Sequence, residues 1–492
     1  VELRIVSRGS VELGVARRRP GARIGTPAPP AFRRRLSARR AEQVAVGGLV
    51  LAALAAWALV PTYPNYDAYY HLVWGRELVN GHLPTFEAYQ APTQHPLYLV
   101  LCAALSLLGE HADRVLVLLA LLCHVAFTCA VYRLGSAMWD RRAGAVAAVL
   151  AGSSFALLFY AARAYVDEPF LALVLWAAAL EAARPRRGGG VWVLLVLAGL
   201  LRPEAWVLGG IYWLWLRMPV RRLPLMLLAP VVWCVVDAVV TGDPLFSLHS
   251  TSDLADELNR TRSLSEVPRD FVSFLADTTR PPVAIAAVIG GALAWRRRRT
   301  HPPRSLHVLV GLFLAGSLTF FLTSGAGLSV LPRYLTVPAV ALCLPAAYLV
   351  TRTRWMLGIA VVAGLAFVIV RADTFERLAT EMRFIRSTHD DLTAVLRTPQ
   401  VTAGRRCGAV TLPNYRLVPD ARWLLDASQR QVGSRSAFGR RYGVALLLVG
   451  DKLLSRYGFA DGASPATNAP PPGFMRAVRR GGFTAYVGCR GG

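Results

Sequence analysis

QVAVGGLVLAALAAWALV, residues 43–60, is followed almost at once by PNYDAYYHLVWGRELVNGHLPTFEAYQAPTQHP, residues 64–96. The first run is long and apolar enough to cross a bilayer, which takes roughly 17 to 25 such residues. The second is not what a plain connecting loop needs. It carries an acid, histidines, a crowd of aromatics and a Gly-His-Leu-Pro turn. Together they predict a polytopic membrane protein with a functional segment at the end of its first span.

Composition agrees over the whole chain. Of 492 residues, 54% are hydrophobic and only 17% charged, against about a quarter charged in soluble proteins. Further apolar runs such as VLVLLALLCHVAFTCAVYRL, residues 115–134, repeat the pattern. The net charge of +25 rests almost wholly on arginine, with Lys452 the one lysine. The basic residues cluster between spans: RRRLSARR (33–40), Arg141–Arg142, RPRR (184–187), RMPVRR (217–222), RRRR (296–299) and RTR (352–354). Such clusters mark cytoplasmic loops, and nucleic acid is not an expected partner.

Candidate spans are 43–60, 114–134, 143–162, 169–183, 190–201, 204–217, 223–241, 282–295, 305–323, 335–350 and 355–371, eleven in all. Residues 95–109 form a further apolar segment of about fifteen residues, shorter than a crossing requires. If it crossed, the basic loop at 135–142 and every later one would fall outside. Placed at the interface, it leaves all basic clusters on one side. This threading predicts a multi-pass plasma-membrane protein, N-terminus cytoplasmic and C-terminus extracytoplasmic. Residues 1–42, rich in Arg, Pro, Gly and Ala, are expected to be a disordered basic tail. Residues 43–371 form the membrane domain. Residues 372–492 mix helical text with alternating strands such as GVALLLV and FTAYVG, predicting a small α/β domain outside the membrane. There a Cys407–Cys489 disulfide is allowed. No CxxC or Cys/His cluster points to structural zinc.

The outer face then collects 61–113, RAYVDEP (163–169), 242–281, TSGAGLSVLPRY (323–334) and the C-terminal region. In a helical DAYYHLVWGRELV, Asp67, His71 and Trp74 share a face by i, i+4, i+7 spacing, with Tyr70 beside them. That stripe fits a site that grips a polar ring and removes a proton. It also fits an interfacial aromatic belt with a solvated carboxylate. Arg163, Asp167 and Glu168 sit in a very short turn. The two acids either start the next helix favourably or face Asp67, to orient an acceptor or bind a metal. GLLRPEAW (199–206) puts Arg202 and Glu204 at membrane depth, where they must pair or face water. LPRYL puts Arg333 and Tyr334 at the outer mouth of a span, where an arginine fork suits a phosphate. His95 before Pro96 and His249 in SLHS are lesser candidates. No Walker loop, strand-borne GxGxxG, HExxH or GxSxG occurs.

An acid after span one, an aromatic first loop leading to HPL, a second acidic turn after a RRAG helix, LRPE and a late PRYL together resemble the GT-C membrane glycosyltransferases. The similarity is to the family 39-like branch of protein mannosyltransferases and aminoarabinose transferases, and spans roughly residues 43–350. It implies transfer of a hexosyl or pentosyl group from a polyprenyl-phosphate-linked sugar outside the membrane. The acceptor would be lipid, polysaccharide or protein. It implies Asp67 as catalytic acid residue, Asp167 or Glu168 as the second-loop acid and Arg333 as a donor-phosphate contact. It implies no particular cofactor, and a divalent metal is left open. The rival reading is a transporter or lipid flippase for envelope precursors, which would also use broken helices and intramembrane charges.

Overall fold

The computed structural model describes residues 30–186, 188–257, 265–297, 305–435, 442–457 and 468–490, with the side chains of 30–38 left out. Leu49–Gly492 is one compact unit and carries the site described below. The first helix, Pro30–Leu59, begins inside the segment expected to be an unstructured tail. Ala, Arg, Leu and Glu are good helix formers, so the apolar helix propagates backward through RRRLSARRAE. Residues 1–29, Arg187, Arg298 and Arg299 lie outside the described residues.

Among the described residues, five helices are long and apolar enough to span a membrane, or up to eight if each bent helix pair counts as one span. Eleven were expected, and the difference has a structural reason. The candidate 143–162 is two helices, Arg141–Gly152 and Phe155–Ala162, meeting at 63°. Those at 190–201 and 204–217 are Gly189–Gly199 and Glu204–Trp215, of 11 and 12 residues. Pro281 and Pro282 follow Arg280, whose φ is 73°, and there Val267–Thr279 and Pro281–Arg296 turn by 99°. A Pro pair forbids helix continuation from the preceding residue, which places the corner.

Residues 95–109 give a short helix, Pro96–Ser106, too short to cross. It lies against the helix Tyr66–Val79, and the contact is close at Gly75. A Cβ there would come 2.5 Å from the backbone nitrogen of Ala103. The bundle around the site is packed on Leu72, Phe127, Leu134, Phe170, Leu171 and Leu344, all essentially buried.

The C-terminal region starts with the helix Ala372–Leu396, bent 53° from Arg354–Val370. Five strands follow: β1 (Val410–Leu412), β2 (Val432–Ser434), β3 (Gly443–Leu448), β4 (Met475–Arg480) and β5 (Phe483–Gly488). They form one mixed sheet in the order β2-β1-β3-β5-β4. β1 pairs parallel with β2 and β3, while β5 runs antiparallel to β3 and β4. β3 and β5 coincide with the two strands read from sequence. Leu446, Val444 and Phe483 of this sheet pack with Leu392 and Leu396 of the long helix. Cys407 and Cys489 are joined by a disulfide.

Candidate active site

Asn65 starts the helix Tyr66–Val79 by accepting a hydrogen bond from the Ala68 N–H at 3.0 Å. Short polar side chains do this at a helix N-cap because the first amides have no partner within the helix. The same Asn65 donates from Nδ2 to the Arg163 carbonyl at 3.1 Å and from its backbone N–H to that oxygen at 2.8 Å. Arg163 replies from Nη2 to the Pro64 carbonyl at 2.9 Å. The first loop and the second acidic turn are thus tied backbone to side chain in both directions, with Arg163 acting as a brace.

Asp67 sits in the first turn of that helix, its side chain 30% exposed, with Oδ2 3.7 Å from Arg333 Nη1. Burial raises its pKa from the ordinary carboxylate value. Arg333 pulls the other way, and the Asp167 charge adds to the rise. Arg333 keeps a buried Nε without a hydrogen-bond partner. Its guanidinium lies 5.9 Å from the Tyr334 ring, which Arg202 approaches at 5.5 Å.

Asp167 opens the helix Asp167–Ala183 and pairs with Arg202, which also pairs with Glu204. Arg202 is 4% exposed. One planar fork engaging two carboxylates makes this buried charge tolerable. Oδ2 of Asp167 is left buried without a partner. Asp67–Arg333 and Asp167–Arg202–Glu204 are thus two ion-paired sets from four chain segments, and the Asp167 charge acts on both Asp67 and Arg333. Tyr160 and Tyr165, whose rings lie 4.8 Å apart, sense the charges of Asp167 and Arg333 and belong to the same wall.

Glu168 takes a different direction. Its Oε2 is 3.0 Å from His124 Nδ1, and His124 Nε2 is 3.0 Å from the Gly152 carbonyl. His71 is also committed. Its Nδ1–H donates to the Asp67 carbonyl at 2.7 Å, and its Nε2 accepts the His95 N–H at 3.0 Å. Burial lowers its pKa to about 4, so it stays neutral with both nitrogens used and works as a strut under Asp67. His95 stacks on His71 at 5.2 Å and meets Trp233 edge-on at 5.7 Å, its Nδ1 buried and unpartnered. Tyr70 and Trp74 pack with Phe86 and Leu99, and Trp74 Nε1 donates to the Thr85 carbonyl at 3.2 Å. His249 pairs with Asp243 at 2.7 Å on an exposed helix. No group of three or more His, Cys, Asp or Glu side chains is placed to hold a metal among the described residues.

Fifteen chains of solved structure match this arrangement of elements. One is a crystal structure of ArnT from Cupriavidus metallidurans bound to undecaprenyl phosphate. It covers 90% of this chain and 97% of its own, with 12% identity and a TM-score of 0.55. Another is the same ArnT in the apo state, covering 91% and 98%, with 14% identity and a TM-score of 0.55. The chain has the ArnT fold. No family model and no curated protein matches it by sequence. The overlap with ArnT takes in nearly the whole of both chains, membrane helices and C-terminal region alike, and upholds the GT-C resemblance at the level of fold.

Sequence reading missed His124, although a histidine inside VLVLLALLCHVAFTCAVYRL is a signal, since an imidazole in an apolar span needs a partner. Tyr160 carried none that separates it from an interfacial tyrosine.

Proposed function

We propose that this protein is an inverting glycosyltransferase. It moves a sugar from a polyprenyl-phosphate donor to an acceptor hydroxyl on the extracytoplasmic face. The observation that carries the reading is the Asp67–Arg333 pair, a carboxylate and a phosphate-gripping fork 3.7 Å apart at one mouth of the bundle. The ArnT fold supports it, because the solved ArnT binds undecaprenyl phosphate.

Asp67 takes the proton of the acceptor hydroxyl as its oxygen attacks the anomeric carbon. The bond from that carbon to the phosphate oxygen breaks, and the polyprenyl phosphate leaves with the electron pair. The leaving group needs charge stabilisation and no proton, which Arg333 supplies. One displacement by one base inverts the anomeric centre. Donor binding also prepares the base. A phosphate that draws Arg333 onto itself removes the influence that lowers the Asp67 pKa, so the carboxylate becomes more basic when substrate is present. Arg202, occupied by Asp167 and Glu204, orients this surface.

The test is release of free polyprenyl phosphate from a panel of polyprenyl-phosphate sugars, by wild type and Asp67→Asn in nanodiscs. Release by wild type alone, at matched thermal stability, is expected. Equal release by both would remove Asp67 from the chemistry. Gradient-driven movement of the lipid without release would make the protein a transporter.

A further inference from the structure

Glu77 lies ten residues after Asp67 on the same helix, and a residue from the C-terminal region grips it. Arg422 is fully buried, unusual for an arginine. Its Nη2 is 2.6 Å from Glu77 Oε1, and both Nη atoms are 3.2 Å from Thr85 Oγ1. Glu77 Oε2 accepts the Thr85 N–H at 3.0 Å, which closes the loop end onto the helix. The neighbouring residue works in reverse. Arg76 donates from Nη2 to the Arg422 carbonyl at 2.9 Å and from Nη1 to the Trp423 carbonyl at 3.1 Å. Its Nε is 2.9 Å from Asp426 Oδ1, and its guanidinium lies over Trp423 at 4.9 Å. Two adjacent pairs thus exchange arginine forks across one contact. At the other end of the helix, Tyr66 meets Tyr415 edge-on at 5.7 Å, and Tyr63 stacks on His389 at 3.5 Å.

Apolar packing would hold these parts together without fixing the helix's rotation about its axis. Buried forks fix it, because each bond fails outside a narrow angle. Rotation matters here. A carboxylate about 6 Å off a helix axis moves about 2 Å for a 20° turn. Misplacing a reacting group by about 1 Å can cost on the order of 10²-fold in rate. We propose that the C-terminal region is a positioning element for catalysis, with Arg422 and Arg76 setting the rotation of the helix Tyr66–Val79 and so the aim of Asp67. This rests on Asp67 being the base.

The experiment uses the full chain with Arg422→Met, Arg422→Lys, Glu77→Gln and the double variant Arg422→Met/Glu77→Gln. Hydrogen exchange is followed in residues 66–79 against residues 112–138, alongside kcat and the donor KM for polyprenyl-phosphate release. Arg422→Met is expected to raise exchange in 66–79 alone and to lower kcat on the order of 10²-fold, with KM nearly unchanged. Arg422→Lys should recover part of the rate, and the double variant should be no worse than the poorer single, the mark of coupled residues. Glu77→Gln keeps the shape of the contact and serves if Arg422→Met does not fold. Unchanged exchange, or raised exchange at unchanged kcat, overturns the proposal. If wild type releases no polyprenyl phosphate, the functional reading fails, and unchanged exchange would still show that the helix is not held this way.

Discussion

Asp167 and Glu168 are adjacent in the chain, yet their carboxylates diverge: Asp167 meets Arg202, while Glu168 reaches His124 at 3.0 Å. Both are fully buried, and the turn that presents them gives one acid a guanidinium partner and the other an imidazole.

Glu168 is fully buried and His124 nearly so. Glu168→Ala therefore leaves a buried imidazole without its partner and should lower stability by about 3–5 kcal/mol. The paired replacement His124→Leu/Glu168→Leu should recover most of that, since apolar groups of similar volume need no compensation. Thermal unfolding in detergent reads both. A Glu168→Ala protein as stable as wild type would contradict the pairing.

The pH profile reports on Asp67. Only its ionised form accepts a proton, so activity should fall as pH drops through its pKa. Burial, partly offset by Arg333, places that pKa above the ordinary value of about 4. The acid limb of kcat/KM, which reports the free enzyme, should lie correspondingly high. On residual activity, Arg333→Gln should move it higher still, because the lowering charge is gone. A limb at or below about 4 would exclude Asp67 as the titrating base.

Asp420 makes a second pH prediction, for stability. Burial raises its pKa to about 7, against the lowering influence of Arg163. A carboxyl that binds its proton more tightly when folded stabilises the fold below the unfolded pKa of about 4 and loses that contribution as pH rises toward 7. Wild type should become less stable across this window, and Asp420→Asn should lack that slope. Denaturation midpoints at pH 4.5 and 7.5 would decide it; identical slopes in both proteins would refute the assignment.

The disulfide predicts a thiol count. Five cysteines are free and two are bonded. Maleimide labelling of the unfolded, unreduced protein should therefore find five thiols, and seven after reduction. Seven before reduction would rule out the Cys407–Cys489 bond.

Much of the site was legible because it rests on local pattern. The shared face of Asp67, His71 and Trp74 was readable from spacing on the condition that DAYYHLVWGRELV is helical, and the structure supplies that helix. Arg202 and Glu204 stood out because lone charges at membrane depth must pair or face water, and the structure pairs them. What stayed hidden depends on how distant elements pack. Nothing in LLCHVAF or AYVDEP says that His124 faces Glu168, because that contact is set by the rotation of two helices. Arg422 lies 345 residues from Glu77, in a region whose sequence matched no pattern. Hydropathy also registers apolar length without seeing a corner, so the candidate 143–162 gave no sign of the bend between Gly152 and Phe155.

The strand order has a consequence in time. β5 is made after β1 to β4, yet it occupies an inner position between β3 and β4. Until residues 483–488 have been synthesised and delivered, β3 has an open edge and β4 has nothing to pair with. Cys489 arrives one residue later, so the cross-link to Cys407 forms only around a sheet already threaded. Assembly of this sheet thus waits on β5, and the chain made before it must stay unassociated until that strand appears.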